Sequence, residues 1–417
     1  MLYKRGYNMQ LQYRIIRGKE ELTGNLIEFS LYGAKILVEC GKSLRSSAAL
    51  TETERVVLTT RYDAVIVTHN HADHNGLIHL VDKKIPVYSG RISREIFCLQ
   101  HAGADVSNFR TYYDGAPFYV GNIRITPYLC DHSAPDSYML LIEGNGKSIL
   151  YTGDFRSHGR KSFDALLERF PKKIDTVITE GTNFFLGKTF GERALEKKLT
   201  DLFNHTEKPV FVIASTTNID RIVSAYKASA RSGRDFLVDI EEERILEIMG
   251  ASVPKAKTFD KVKVYYPKSI TDFSSFCDVR KKSVSIRALA PKTDYVMMVK
   301  TSTLPYLRKL AKLGNNLKGA TLVYSLWSGY LETDGMQKFI AGVKKLGMNV
   351  VNLHASGHAD KNTVMRLLMR CCPNEVVWVH TPFESLDYKK YPFLHYGRRS
   401  VSNKAKEIEK YENFNNE

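Results

Sequence analysis

A chain of 417 residues with 43% hydrophobic and 25% charged residues can bury a large core, which excludes a disordered protein and suggests two domains or one elaborated domain. The formal net charge of +16 suits a polyanionic partner such as nucleic acid. Six cysteines without a CxxC pair or regular spacing suggest neither a cysteine zinc site nor a disulfide framework; with no secretory apolar core and no stretch near the roughly 18 residues of a membrane span, a soluble cytoplasmic protein without membrane contact is expected.

The first half alternates β-rich runs with turn signals: "QYRIIRG", "NLIEFSLYGAKILVECG", "YDAVIVTH", "IPVYSG", "IRITPYLC", "SYMLLIEGNGKSILYTGD" and "DTVITEG". "LYGAK" and "GNGK" read as hairpin turns, and "ERALEKKLTDLF" at 192–203 has helical spacing. Sheets flanked by helices, an α/β layered protein, are expected. From about residue 205, "PVFVIAS", "NIDRIVSAYKASARSG", "DFLVDI" and "EERILEIMG" alternate strand and helix, the pattern of a parallel sheet. Residues 255–318 hold fifteen Lys plus Arg against four Asp, a local net of +11. After about 345 a strand, helix, strand series returns in "MNVVNLHASG", "NTVMRLLMRC" and "EVVWVHT", and the polar tail "KEIEKYENFNNE" follows.

Directly after "YDAVIV" the chain reads "THNHADHNG", with His69, His71, Asp73 and His74 inside six positions. Imidazole nitrogens and carboxylate oxygens suit zinc and similar divalent ions, and close spacing on a loop lets several donors converge. In a chain with twelve histidines such a pattern arises by chance in on the order of one case in a thousand. Asp131, His132 and Ser133 follow one later strand, and Thr152, Gly153 and Asp154 another, so these too can meet at one sheet edge.

The ordered set of HxHxDH, a later His and "TGD" resembles the metallo-β-lactamase superfamily. That resemblance implies an αββα sandwich with a two-metal site: His69, His71 and His132 on one ion, Asp73 and His74 on the second, and Asp154 bridging. Where the family has an Asp near the end of an early strand, "LVECG" supplies Glu39. "HASGHAD" at 354–360 and "VWVHT" add His358 and His380, 22 positions apart, and with Glu180 in "DTVITEGT" they resemble the β-CASP branch, that of ribonuclease J and the mRNA 3′-end processing endonuclease. The resemblance implies that His380 completes the second ion's ligands, and a histidine at that motif tilts the expectation to RNA. It further implies a metallo-β-lactamase domain at 1–204, an inserted α/β β-CASP domain on a parallel sheet at 205–345, and a return segment at 346–417. The further C-terminal domain of ribonuclease J is not expected.

Two divalent ions, zinc or alternatively manganese, would activate water for in-line attack on a phosphodiester. In that scheme Asp73 orients the nucleophile, His358 protonates the leaving ribose oxygen, and Glu180 orients His358, giving a 5′-phosphate and a 3′-hydroxyl. Ser215 and Thr216, between a strand and a helix, can hold a phosphate, and His354, Ser356 and Gly357 resemble a phosphate-binding loop. Lys255, Lys257, Lys261, Lys263, Lys268 and Arg280 to Lys282, interleaved with Tyr265, Tyr266 and Phe276, are a second candidate surface for single-stranded RNA, through ion pairing and stacking. "CGKSL" lacks the earlier glycine of a P-loop. Two other readings are open at this stage: a hydrolase of a small ester, thioester or lactone, and a catalytically silent nucleic-acid-binding scaffold.

Overall fold

The computed structural model describes residues 9–19, 22–43, 49–185, 189–267, 280–314 and 317–381. Alternating apolar residues form β1 (Gln12–Arg17), β2 (Leu26–Leu31) and β3 (Ala34–Val38), an antiparallel meander. Its second turn puts Tyr32 and Gly33 at φ 51° and 88°, the two positive values that the tight hairpin requires. β4 (Ala64–Ile66), β5 (Val87–Ser89) and β6 (Phe109–Thr111) continue the sheet in parallel.

A second sheet is built from β7 (Phe118–Val120), β8 (Ile123–Cys130), β9 (Ser137–Gly144), β10 (Lys147–Tyr151) and β11 (Thr176–Glu180). Inner-face residues of both sheets, among them Phe29, Ile36, Ile66, Ile125, Leu140, Ile149 and Ile178, form one core between them. Each such side chain contributes about 1.5–3 kcal/mol on burial. Outside the first sheet, α1 (Glu52–Thr59) and α3 (Arg91–Gln100) bring Val57 and Phe97 against Leu37, Val65 and Val87. Outside the second, α4 (Phe163–Arg169) and α11 (Lys361–Cys371) bring Phe163, Leu166, Val364 and Leu367 against Leu141, Leu150 and Val177. The layers are therefore α, β, β, α, as expected.

The third sheet is parallel throughout: β12 (Val210–Ile213), β13 (Asp235–Asp239), β14 (Val262–Tyr265), β15 (Tyr295–Val299), β16 (Thr321–Tyr324) and β17 (Asn349–Asn352), in the order β14-β13-β15-β12-β16-β17. "VFVI" and "YVMMV" are buried at every position because helices cover both faces. One face carries α5 (Glu192–Asn204), α6 (Ile219–Arg231) and α7 (Ile240–Ile248); the other carries α8 (Ile286–Leu289), α9 (Leu304–Lys312) and α10 (Asp334–Lys345). β17 carries this sheet past residue 345 to Asn352.

The chain then returns to the sandwich. β18 (Glu375–Val379) pairs in parallel with β11, Glu180 opposite Val379, although the whole third sheet lies between them in sequence. No helix among the described residues is long and apolar enough to cross a membrane.

Candidate metal centre and cleft

The HxHxDH stretch is a strand end that turns into a helix. His69 lies three residues beyond β4, His71 caps α2 (Ala72–Asn75), and Asp73 and His74 fall in that helix's first turn. His132 follows β8, Asp154 follows β10, and His380 follows β18. All these ends reach one edge of the sandwich. There one atom, Asp154 Oδ2, lies 3.3 Å from His74 Nε2, 3.7 Å from His132 Nε2 and His358 Nδ1, and 3.8 Å from the Nε2 atoms of His69 and His380.

The other ring nitrogen of four of these histidines is already committed. His132 Nδ1 donates to Gly357 O at 2.7 Å, and His74 Nδ1 donates to Glu39 Oε1 at 3.1 Å. The Thr182 hydroxyl donates to His380 O at 3.0 Å, so its oxygen accepts from His380 Nδ1 at 2.8 Å. Thr68 likewise donates to Glu39 and accepts from His69 Nδ1 at 3.0 Å. With Nδ1 so committed, the Nε2 of each ring is the atom that faces Asp154, and in a neutral ring that atom is the acceptor. His69 Nε2 and Asp154 Oδ1 are buried without a hydrogen-bond partner. Acceptors packed against a carboxylate repel one another unless protons or cations stand between them.

Four overlapping groups of donors have their ligand atoms within 4.8 Å of one another: His69, His71, His132 and Asp154; Asp73, His74 and His380; Asp154, Glu180, His358 and His380; and Glu39, His69 and His74; the first two match the expected ligand sets. Asp154 is close to both, as a bridging carboxylate must be. Burial holds His69 and His132 well below the usual imidazole value and His71 at about 4, so all three are neutral, the form that binds a metal. Burial also opposes a charge on His74, yet Asp154, Asp73 and Glu39 hold its pKa well above the usual value. A proton on His74 stands where a cation can replace it. The residue types and their aim fit divalent ions.

Glu39 takes part by orienting His74 and Thr68, and it sits at φ 64°; His380 sits at φ 49°. Left-handed backbone costs such residues about 1–3 kcal/mol, and two of the six non-glycine instances among the described residues are at this site.

His358 and Glu180 form the expected pair: His358 Nδ1 donates to Glu180 Oε2 at 2.9 Å. Glu180 Oε1 also accepts from Phe155 N at 2.8 Å, which fixes it at the strand end. Burial disfavours charge on His358, but Glu180 and then Asp154 outweigh it and push its pKa up to about 9.

A pocket of about 250 Å³ opens beside these groups, lined on the sandwich side by His71, Asp73, Asp154 and His380 and on the other by Ser215, Asn218, Ser325, His354, Ser356 and Gly357. The second set comes from the C-terminal ends of β12, β16 and β17, neighbours in the third sheet, where ligands of such sheets bind. Ser356 Oγ accepts from Asn183 Nδ2 at 2.7 Å and from His358 N at 3.1 Å, so its own proton is left for a ligand. Burial and Arg221 push His354 down to about 4, making it a neutral hydrogen-bond partner. Gly357 permits close approach: a Cβ there would lie 2.4 Å from Ser133 Oγ.

Some expected residues lie elsewhere. Asp131 turns away from the centre and binds Arg156 Nε at 2.7 Å, and Thr216 does not line the pocket beside Ser215. In the basic stretch Tyr265 is buried, its hydroxyl on Met298 O at 2.6 Å, so it cannot stack on a base. Tyr266 packs against the core of the third sheet, Lys255 is buried near Glu247, and Lys282 pairs with Asp260. These aromatics are part of the core because the stretch contains β14. Lys268 and Phe276 lie outside the described residues.

Sequence reasoning missed a buried ion network behind the 354–358 loop. Arg156 Nη1 donates to Ser356 O at 3.1 Å, Arg221 Nη2 donates to Ala355 O at 2.8 Å, and Glu192 Oε1 lies 3.0 Å from Arg221 Nη2. It also missed Trp327 and Tyr330, which line the pocket. "SLWSGYLE", an aromatic pair around a glycine after a strand, is the signal that could have found them.

An αββα sandwich with histidines and carboxylates converging at one edge, facing an inserted parallel sheet, defines a metallo-hydrolase fold. The family described as "Beta-lactamase superfamily domain" matches residues 34–185, and that described as "Zn-dependent metallo-hydrolase RNA specificity domain" matches 344–391. The chain belongs to the metallo-β-lactamase superfamily, in its ribonuclease J-like β-CASP branch. It is 19% identical to "Ribonuclease J" of Mycoplasma genitalium over 395 residues, 88% of this chain and 67% of that one. It is 26% identical over 197 residues to "Transcription termination factor FttA" of Methanosarcina mazei, covering 40% of this chain and 30% of the relative. This chain thus spans about two thirds of the former and under a third of the latter. A crystal structure of a protein of unknown function from Enterococcus faecalis shares the fold, with a TM-score of 0.72, 20% identity, and coverage of 89% of this chain and 94% of that one.

Proposed function

We propose that this protein is a metal-dependent nuclease that hydrolyses phosphodiester bonds of single-stranded RNA, with two divalent ions, zinc or alternatively manganese, at the sandwich edge. The observation that carries the reading is the convergence of five histidines on Asp154 Oδ2, four of them through Nε2. His69, His71, His132 and Asp154 would hold one ion, and Asp73, His74, His380 and the same Asp154 the other. When bound, the ions would supply an activated water and polarise a phosphoryl oxygen.

The chain's own groups do the rest. Asp73 Oδ2, 3.1 Å from His380 Nε2 at the pocket wall, orients the attacking water. His358, charged through Glu180, gives its Nε2 proton to the departing ribose oxygen, and Glu180 stabilises the charge and fixes the ring. Ser356, His354 and Ser215 bind a neighbouring phosphate through hydroxyl and imidazole groups. RNA as substrate is supported by the names of the ribonuclease J relatives and by the description of the family matching the return segment. A hydrolase of small esters would have no use for that polar wall.

The test is incubation of end-labelled single-stranded RNA, carrying 5′-monophosphate or 5′-triphosphate, with the wild type and His358→Ala. The variant is expected to lose about 10²–10⁴-fold in kcat while keeping close to two equivalents of metal. Products should carry a 5′-phosphate and a 3′-hydroxyl. A 2′,3′-cyclic phosphate, or equal rates for the two proteins, would overturn the mechanism.

A further inference from the structure

One feature of the cleft serves neither the metal centre nor the phosphate-binding wall: its exposed aromatic lip. Beyond β16 the chain leaves the C-terminal edge of the third sheet at Ser325 and makes a short 3-10 turn over Ser328–Glu332. Trp327 and Tyr330 both line the pocket there, with ring centroids 5.6 Å apart and planes at 83°. They are 52% and 40% exposed. An indole left open at the mouth of a concave polar pocket forgoes the stabilisation of burial until a ligand covers it.

The lip is held in place. The Tyr324 hydroxyl donates to Trp327 O at 2.8 Å, and Tyr330 N donates to the same oxygen at 3.2 Å. The Thr333 hydroxyl fastens the end of the turn to Tyr330 O at 2.8 Å. Gly329 makes room for the indole: a Cβ at that position would lie 2.3 Å from Trp327 Cη2 and 2.4 Å from Cζ3. The ring thus occupies space that any other residue at 329 would contest. A fixed aromatic surface loses little entropy when a flat ligand is laid against it.

We propose that Trp327, with Tyr330 at its edge, is a stacking platform for the unpaired base of the nucleotide adjoining the cleaved phosphodiester. This rests on the nuclease reading above and extends it from the backbone to the base. Ser215, Asn218, Ser325, His354 and Ser356 offer hydroxyl, amide and imidazole groups that suit phosphate and ribose, and the Trp327 and Tyr330 rings offer a flat apolar surface that suits a base. The volume of about 250 Å³ suits one nucleotide unit with its base unpaired. Because every base has a π face, the platform tolerates any sequence, with purines binding more tightly than pyrimidines.

Trp327 can report on itself, because the other tryptophan, Trp378, is buried. A short single-stranded RNA with cleavage-resistant phosphorothioate linkages should quench the intrinsic fluorescence, and an abasic ribose-phosphate oligomer of the same length should not. Trp327→Phe should abolish the quench. In cleavage assays Trp327→Leu should raise KM for RNA about tenfold, the scale of losing one stacked base, with kcat within about twofold, and Trp327→Phe should restore KM. Equal quenching by both oligomers, or none, overturns the platform, as does an unchanged KM in Trp327→Leu. A wild type that cleaves no RNA removes the nuclease reading alone; quenching by the base-bearing oligomer only would still support base stacking at Trp327, and absence of quenching would still sink it.

Discussion

At the cleft, Asp73 and Asp154 lie among histidines, whereas in the cover of the third sheet Glu242 and Glu243, on α7, lie buried over an aliphatic core. Burial pushes every one of these carboxyls toward the neutral form. At the cleft that push loses: His74 and His380 bring Asp73 down to about 2, and His380, His74 and His358 hold Asp154 well below the carboxylate range. In the third-sheet region it wins. Glu242 rises to about 8, with the neighbouring Asp239 adding to burial, and Glu243 rises to about 7. The difference teaches what a buried acid is for: ionised and ringed by imidazoles, it is set for a cation, while a carboxyl pushed toward neutrality has been accommodated by the core.

The hardest blow to this comparison would come at Asp154. Asp154→Asn keeps the shape but removes the charge that both donor sets share. RNA cleavage is expected to fall at least about 10⁴-fold, the scale of breaking a unit whose members act together, and metal analysis should show the loss of at least one ion. A variant retaining both metals and activity would show that the carboxylate is no bridge.

Glu192 sharpens the comparison, because there the counter-charges are guanidinium groups and the purpose is structural. It is buried, 3.0 Å from Arg221 Nη2, and Arg221 and Arg156 lower its pKa against the effect of burial. A carboxyl held below its unfolded value adds stability that is present above about pH 4.5 and is lost as pH falls through the folded value. Arg221→Met removes one counter-charge and the donor to Ala355 O. It is expected to cost about 3–5 kcal/mol in urea denaturation at pH 7, because a buried charge is left with one partner fewer. Its acid unfolding should begin at higher pH than the wild type's. A loss under about 1 kcal/mol would mean that Arg156 alone suffices.

These contrasts also mark what the sequence could disclose. Five of the metal-ligand candidates were legible because their spacing is local: His69, His71, Asp73 and His74 sit on one strand-to-helix turn, and Asp154 sits in "TGD". His380 could be read only through the resemblance, since its place depends on β18 pairing with β11 across the whole third sheet. The layered fold was legible from periodicity, including the parallel sheet, whose strands are apolar throughout. The basic stretch misled because charge density says nothing of which aromatics a strand turns inward: Tyr265, read as a surface for bases, fills the core under α9. Arg156, Arg221 and Glu192 were hidden because a buried charge network is defined by partners far apart in the chain. Trp327 was passed over although "SLWSGYLE" carries a signal, because such a pair shows that two aromatics are close in sequence and not that they are exposed at a pocket.

The smallest expected effect falls on the other side of the comparison. Glu242 caps α7 through Asp239 N, accepted at Oε2 over 3.1 Å, while its Oε1 is buried without a partner. Lys300 lies 2.6 Å from Asp239 Oδ2, so its charge is directed at Asp239. With a folded pKa near 8 against about 4.5 unfolded, Glu242 favours the fold at low pH. That advantage is lost between about pH 4.5 and 8, as the unfolded chain releases its proton first. Glu242→Gln preserves the capping oxygen and removes the titration. Its stability relative to the wild type's should therefore rise between about pH 4.5 and 8, exceed it at pH 8 and converge with it near pH 4. RNA cleavage should be unaffected, since α7 contributes nothing to the pocket lining. A variant less stable than the wild type at pH 8 would mean that Glu242 is ionised in the fold and Lys300 serves it, and the contrast drawn between the two regions would fail.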